Sequence, residues 1–171
     1  PSTLDFRKLM PARVPRSAIF KMDDWMVWCS TMVRTRDGVC HMLFSRWPKR
    51  FGHGAWVTHS EVAYATAERP EGPYRFRGVA LPARGGRYWD GHMTHNPCVM
   101  AYKDKFYLYY TANRGPDGWR PDRPVPDRDT SWAHRMNQRV GVAVADHPAG
   151  PWKRFDKPLI DVGSEYGEGI T

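Results

Sequence analysis

Glu61–Tyr74 reads EVAYATAERPEGPY and Arg139–Trp152 reads RVGVAVADHPAGPW. Placing Pro70 on Pro148 puts Gly72 on Gly150, Pro73 on Pro151 and Tyr74 on Trp152, an offset of 78 residues (148 minus 70). Upstream, Ser17–Ser30 (SAIFKMDDWMVWCS) aligns with Cys98–Thr111 (CVMAYKDKFYLYYT), setting Trp25 on Phe106 and Trp28 on Tyr109. An internal period of this size marks a repeat architecture.

Each copy reads as strands. The upstream part is a short apolar run, a polar turn and an aromatic-rich run: AIFKM, DD, WMVWCS, then VMAY, KDK, FYLYYT. Aromatic and β-branched residues on either side of so short a turn predict a hairpin. The downstream part is a strand of small and β-branched residues, a turn rich in proline and glycine, and another strand opening on an aromatic. That makes about four antiparallel strands per copy, and no long helical pattern occurs. Such sheets recurring along a chain are blades of a β-propeller, so the predicted class is all-β. The expected boundaries are about 14–85 for blade one, about 90–162 for blade two and 163–171 for the start of blade three. Propellers close with about four to eight blades, so the 171 residues are expected to be the N-terminal part of one larger propeller domain. A self-contained pair of sheets is the alternative. One segment complicates blade one: Val39–Trp47 (VCHMLFSRW) looks like an extra strand hairpinned to WMVWCSTMV across Arg36-Asp37-Gly38.

Composition sets the outer limits. Hydrophobic content of 41% with 13% aromatics is enough for a core at the length of one domain. No run of about 18 apolar residues is present, so no membrane-spanning helix is expected. No leader is recognisable, and a secreted or periplasmic location is favoured. Cys29, Cys40 and Cys98 are odd in number and lack zinc-ligand spacing, which reads as buried free thiols. The net charge of +8 suits nucleic acid, an anionic polysaccharide or only a soluble surface. The strands carry no RNA-binding aromatic signature, so no nucleic-acid partner is expected.

Strand alternation places the loop between the second and third strands, and the start of the innermost strand, on one face. The long loops, roughly Met32–His59 and Asn113–Asn137, open there, and long loops on a rigid scaffold carry function. Copy one offers Arg16, His53, Trp56, His59 and Glu61; copy two offers Trp89, Asp90, His92, His95, Asn96, Asn113, Arg114, Trp132, His134, Arg135, Asn137 and Gln138. Glu165 and Glu168 follow at the end. Aromatic platforms mixed with such polar groups suit a sugar, whose ring faces stack while its hydroxyls take short hydrogen bonds.

The densest cluster is Trp89–Pro97, WDGHMTHNP. Asp90 there suits a general base or a carboxylate that tunes a partner, and His92 or His95 a proton donor near neutral pH. The other readings are that Asp90 caps a turn and His95 bonds backbone, or that the two histidines share a metal, which an extended strand would oppose by pointing them apart. Glu61 opens a strand on the same face, as a site group or a solvated edge charge.

The phrases AWVTHSEVAYATAERPEGPY, WDGHMTHNPCVMAYKDKFYLYYTANRG and NQRVGVAVADHPAGPWKRFDKPLID resemble uncharacterised members of the five-bladed propeller glycoside hydrolases, nearest to families 43 and 117. The resemblance runs from about Val14 to the end and implies five blades and hydrolysis of glycosidic bonds. It implies carboxylates at the starts of successive innermost strands, an arrangement that this chain meets only in part. Arg16-Ser17 stands where family 43 has its first Asp-Pro, and His95-Asn96 precedes Pro97 where the second aspartate would be. Asp90 is then the best carboxylate of copy two, Glu165 or Glu168 approximates the acid of blade three, and family 117 sets a precedent for a histidine acid. Calcium in the central channel is also implied by the resemblance, with no acidic motif here that demands it.

The expected protein is therefore a glycoside hydrolase releasing sugars from a plant or algal polysaccharide or oligosaccharide. Asp90, His92, His95 and Glu168 are its candidate catalytic residues. Arg16, His59, Glu61, Trp89, Asn96, Asn113, Arg135, Asn137 and Gln138 would hold substrate. A carbohydrate-binding propeller without catalysis is the alternative, and a basic scaffold for an acidic partner the third.

Overall fold

The computed structural model describes Asp5, residues 12–115 and residues 128–162. Two antiparallel four-stranded sheets make up the fold, each a meander in sequence order. Sheet one holds β1 (Trp25–Arg34), β2 (Cys40–Pro48), β3 (Glu61–Ala67) and β4 (Arg75–Leu81); sheet two holds β5 (Met93–Tyr102), β6 (Lys105–Asn113), β7 (Gln138–Ala145) and β8 (Lys153–Arg154).

The downstream repeat marks equivalent turns. The β3–β4 and β7–β8 connections both turn on a glycine in the left-handed region, φ +85° at Gly72 and +88° at Gly150, each followed by a cis proline. A Cβ at Gly72 would also sit 2.9 Å from the Ser17 carbonyl oxygen, so glycine is required there by conformation and by space. Val62 and Val140, 78 apart, both lie in the third strand of their sheets, opposite Ser45 and Thr111, which are 66 apart (111 minus 45).

The upstream repeat does not mark equivalent strands. Arg16–Ala18 is a single 3-10 turn, and Met22 makes only an isolated bridge to Trp25, so the expected strand AIFKM joins no ladder. Trp25 opens the first strand of its sheet, whereas Phe106, its sequence match, lies in the second strand of the other. The segment Val39–Trp47, which the alignment leaves as an extra strand, is β2 itself. Every residue from Cys40 to Trp47 is buried, as befits a strand flanked by β1 and β3 and covered on both faces. Gly38, at φ +88°, closes the tight turn that brings β2 back along β1.

The structurally matched points of β1 and β5 are two bulges. The β1 ladder shifts between Trp28 and Thr31, and the β5 ladder between His95 and Cys98. Each bulge carries a non-glycine residue at positive φ, Cys29 at +45° and Asn96 at +47°.

With β2 assigned, the first long loop shrinks to residues 49–60, made of two 3-10 turns and the one-turn helix α1 (Trp56–His59). The second carries a nine-residue helix, α2 (Arg128–Met136). Both loops open on the face where β1 and β5 begin, as strand alternation requires.

The sheets pack face to face. Leu43, Val62 and Leu81 of sheet one meet Trp89, Val99, Leu108, Tyr110, Ala112 and Ala143 in one buried cluster. Thr94 stitches the layers: its hydroxyl donates to the Leu81 carbonyl at 2.5 Å and accepts the Val62 N–H at 3.0 Å. The N–H groups of Asn96 and Val99 donate to Ser45 Oγ and Thr31 Oγ1, at 2.9 and 3.2 Å. Trp89 stacks on Tyr110 with ring centroids 5.4 Å apart, and a Cβ on Gly141 would come within 2.3 Å of its indole. Gly141→Ala is expected to push that indole out of place and destabilise the fold by about 1–3 kcal/mol, read as a lowered urea midpoint.

Candidate functional site

The bulges of β1 and β5 meet at a cavity of about 290 Å³ lined by Trp28, Cys29, Trp47, His53, Trp56, His95 and Asn96. The volume lies near the lower end for small-molecule sites. Its walls are aromatic. His53 meets Trp28 and Trp47 edge-on, at centroid distances of 5.7 and 6.0 Å. His95 lies 5.1 Å from Trp56 and 5.7 Å from Trp47. Trp47 is fixed by donating its indole N–H to the Gly52 carbonyl at 3.1 Å. The Arg135 guanidinium sits 5.9 Å from the Trp56 ring centre, bringing one cation to the rim.

Cys29 and Cys98 are exposed, against the expectation of buried thiols, and desolvation raises the pKa of the Cys29 thiol at the cavity wall. His95 is the more deeply buried titratable group of the same cavity. It is 4% exposed, and burial pushes its pKa down to about 4, so the imidazole is neutral at pH 7. Its Nδ1 lies 2.7 Å from Ser60 Oγ. Whichever of the two donates, the tautomer is set by Ser60, and Nε2 takes the complementary role. Neither Ser60 nor the tryptophans Trp28 and Trp47 stand out in the sequence as site residues; Ser60 precedes Glu61, and both tryptophans read as strand core.

Asp90 lies elsewhere. Its carboxylate is 0% exposed, and it accepts from Arg84 Nε at 2.5 Å, from Tyr110 Oη at 3.0 Å and from an Arg154 terminal nitrogen at 3.2 Å. Arg84 also reaches Asp156 and the Phe155 carbonyl, and Trp89 donates to that same carbonyl. A carboxylate shut from solvent and held by three donors is a strut, which corrects the expectation of a reachable base. Trp89 belongs to the same core rather than to a sugar platform.

The remaining candidates divide by place. His92 accepts the Gly115 N–H at 2.8 Å on Nδ1, with His134 Nε2 3.2 Å away. With His59, Glu61 and Trp25 it lines a second, shallower cavity of about 200 Å³, separate from the one holding His95. The two histidines of the WDGHMTHNP cluster thus serve different cavities. Glu61 is an ion-pair partner: Arg46 grips its Oε1 at 2.7 and 2.8 Å while its own guanidinium lies 3.9 Å from the Trp25 ring centre and 4.5 Å from that of Phe76. His59 stacks on Phe51 at 4.2 Å. Asn113 is buried and donates to the Val57 and His134 carbonyls, each at 2.9 Å, which ties α1 to α2. Gln138 and Asn137 are likewise tied to backbone, donating to the carbonyls of Arg135 and Arg114. Arg16 is exposed in the 3-10 turn whose Ser17 carbonyl touches Gly72, at the far end of sheet one, so it does not join this face. Glu165 and Glu168 lie outside the described residues.

No protein-family model matches the chain, and no curated protein sequence does. Solved structures do. Zg3597, a family 117 glycoside hydrolase from the marine bacterium Zobellia galactanivorans, matches with a TM-score of 0.58 at 20% identity, over 84% of this chain and 41% of that one. CoXyl43, a GH43 β-xylosidase/α-arabinofuranosidase from a compost microbial metagenome solved with xylotriose in a calcium-free form, matches with a TM-score of 0.54 at 21% identity, over 78% and 35%. A GH43_1 enzyme from Xanthomonas citri matches with a TM-score of 0.53 at 20% identity, over 78% and 33%. The chain therefore shares the fold of β-propeller glycoside hydrolases and spans about a third to two fifths of their length.

Among the described residues no three His, Cys, Asp or Glu side chains come together as a metal site, and the main cavity is lined by rings, a thiol and an amide. The described residues thus do not suit calcium, which takes about six to eight oxygen ligands.

Two outcomes follow from these environments. Asp90→Asn leaves two nearly buried guanidiniums short of their counter-ion and is expected to cost about 3 kcal/mol of stability by urea unfolding. His95 binds its proton more weakly folded than unfolded, so its contribution is complete above about pH 6.5 and is lost as pH falls toward about 4. His41 and His134, also pushed down by burial, act in the same direction. The loss from His95 is roughly 3 kcal/mol, and His95→Gln should flatten that part of the stability–pH curve.

Proposed function

We propose that this chain is the sugar-gripping part of a glycoside hydrolase that releases sugars from a plant or algal polysaccharide or oligosaccharide. The observation that carries the reading is the cavity where the two bulges meet. The Trp28 and Trp56 indoles supply apolar faces over a buried Trp47, and Asn96, His53 and a neutral His95 supply hydrogen bonds. A polyol needs both. The fold shared with families 117 and 43 supports hydrolysis, and the neighbour solved with xylotriose supports an oligosaccharide in such a funnel.

In this reading Trp56 and Trp28 flank the sugar ring over the buried Trp47, and Asn96 and His95 bond its hydroxyls. The tautomer set by Ser60 decides whether His95 donates to a hydroxyl or accepts from one. Hydrolysis through an oxocarbenium-like transition state needs an acid that protonates the glycosidic oxygen and a second group on the opposite face of the sugar ring that activates water or attacks the anomeric carbon. With Asp90 in the core, the acid is assigned to Glu168 or Glu165, and His95 is left to position the substrate or relay a proton.

One observation favours a second reading, a propeller that binds sugar without cleaving it. Among the described residues no carboxylate lines the cavity at the paired bulges, and Asn96 stands before Pro97 where family 43 is expected to have aspartate. Reducing-sugar release from a panel of plant and algal oligosaccharides separates the two. Release that Glu168→Gln abolishes supports the hydrolase; binding without release supports the lectin-like form. In either case Trp56→Ala is expected to weaken oligosaccharide binding about 3- to 10-fold by titration calorimetry, with little dependence on salt.

A further inference from the structure

We propose that the end of sheet one remote from the funnel carries a second site, a cleft that holds sulfate or carboxylate groups of an anionic glycan. The cleft has a volume of about 360 Å³ and lies where β3 ends and β4 begins, with Arg69, Arg75 and Arg77 around it and Val39, Thr66 and Gly72 beneath. Arg75 and Arg77 of the edge strand both line the cleft, Arg77 being the residue left unpaired where the β3–β4 ladder shifts between Tyr64 and Ala65. Arg77 donates from Nε to Thr66 Oγ1 at 2.8 Å, which holds its guanidinium in place, and its terminal nitrogens have no partner among the described residues.

These three arginines differ from those that hold the fold together. Arg46 is matched to Glu61, Arg84 and Arg154 to Asp90, and Arg139 to Asp161. Arg69, Arg75 and Arg77 make no ion pair among the described residues. Glu68, the one acid lining the cleft, pairs with none of them. Guanidiniums with free forks take sulfate or carboxylate in two parallel hydrogen bonds. No aromatic ring lines the cleft, so it offers nothing for nucleobases to stack on.

The choice of a glycan over other polyanions rests on the carbohydrate reading of the funnel. β3 runs from the funnel face to the cleft, seven residues or about 23 Å. One polymer long enough to reach both could be tethered at the cleft while an end or branch enters the funnel, which raises its local concentration there.

The test measures binding of dextran sulfate, uncharged dextran and duplex DNA to the protein and to two double variants. Arg75→Gln/Arg77→Gln removes cleft charge, and Arg87→Gln/Lys157→Gln removes the same charge from exposed positions that line no described cavity. A tenfold or greater loss of dextran sulfate affinity in the first variant, under twofold in the second, and a shallower salt dependence by about one to two ions is the expected result. Equal losses in both variants would reduce the effect to net charge and overturn the site. Uncharged dextran binding as tightly would overturn the role of the anion. Tighter DNA binding through the same arginines would reassign the surface to nucleic acid. The funnel reading fails independently: Trp56→Ala would leave oligosaccharide binding untouched while dextran sulfate still required Arg75 and Arg77.

Discussion

The fold turns on one buried carboxylate. Asp90 stands in the connection between the sheets, out of water, with Arg84 from the same connection, Tyr110 from β6 and Arg154 from β8 all aimed at it. An unpaired charge in that position would be costly, so these groups must be brought together before the connection can close. Its closure fixes where β5 starts. Gly91 assists, donating its N–H to the Tyr88 carbonyl in a turn where a Cβ would lie 2.8 Å from that oxygen. From there Thr94 locks onto sheet one through Leu81 and Val62, and the next two residues, His95 and Asn96, arrive at the cavity.

The two bulges convert that placement into chemistry. A regular strand would send His95 and Asn96 to opposite faces, and likewise Trp28 and Cys29. The left-handed residues, Cys29 and Asn96, interrupt the alternation, and all four side chains line one cavity. The bulge geometry is held from outside its own strand, since the Asn96 N–H, freed from the ladder, donates to Ser45 of the neighbouring sheet. Sheet one thus supplies the indoles, sheet two the imidazole and amide, and loop 49–60 brings in His53 and Trp56.

What the sequence makes legible is what depends on neighbouring residues. The turns at Gly72 and Gly150 are readable because glycine before proline, after a strand of small residues, has few conformations open to it. The site face is readable because strand direction and loop length place it, and His95, Asn96, His53 and Trp56 all emerge there. Asp90 is different. An aspartate between tryptophan and glycine in a loop looks the same whether it faces a substrate or the core. The deciding partner, Arg154, lies 64 residues further along. Likewise, Trp25 and Phe106 align by composition although one opens a first strand and the other a second. Aromatic-rich strands resemble one another, and only the burial of β2 from Cys40 to Trp47 shows which strand is central.

The central claim is that the cavity at the paired bulges of β1 and β5 is where a sugar sits. A crystal structure of the full-length protein soaked with an oligosaccharide that it binds in solution tests it most directly. The expected density is a sugar ring against Trp28 and Trp56, with Asn96 and His95 Nε2 within hydrogen-bond distance of its hydroxyls. A sugar held elsewhere, with the cavity filled by water or by another part of the chain, would contradict it.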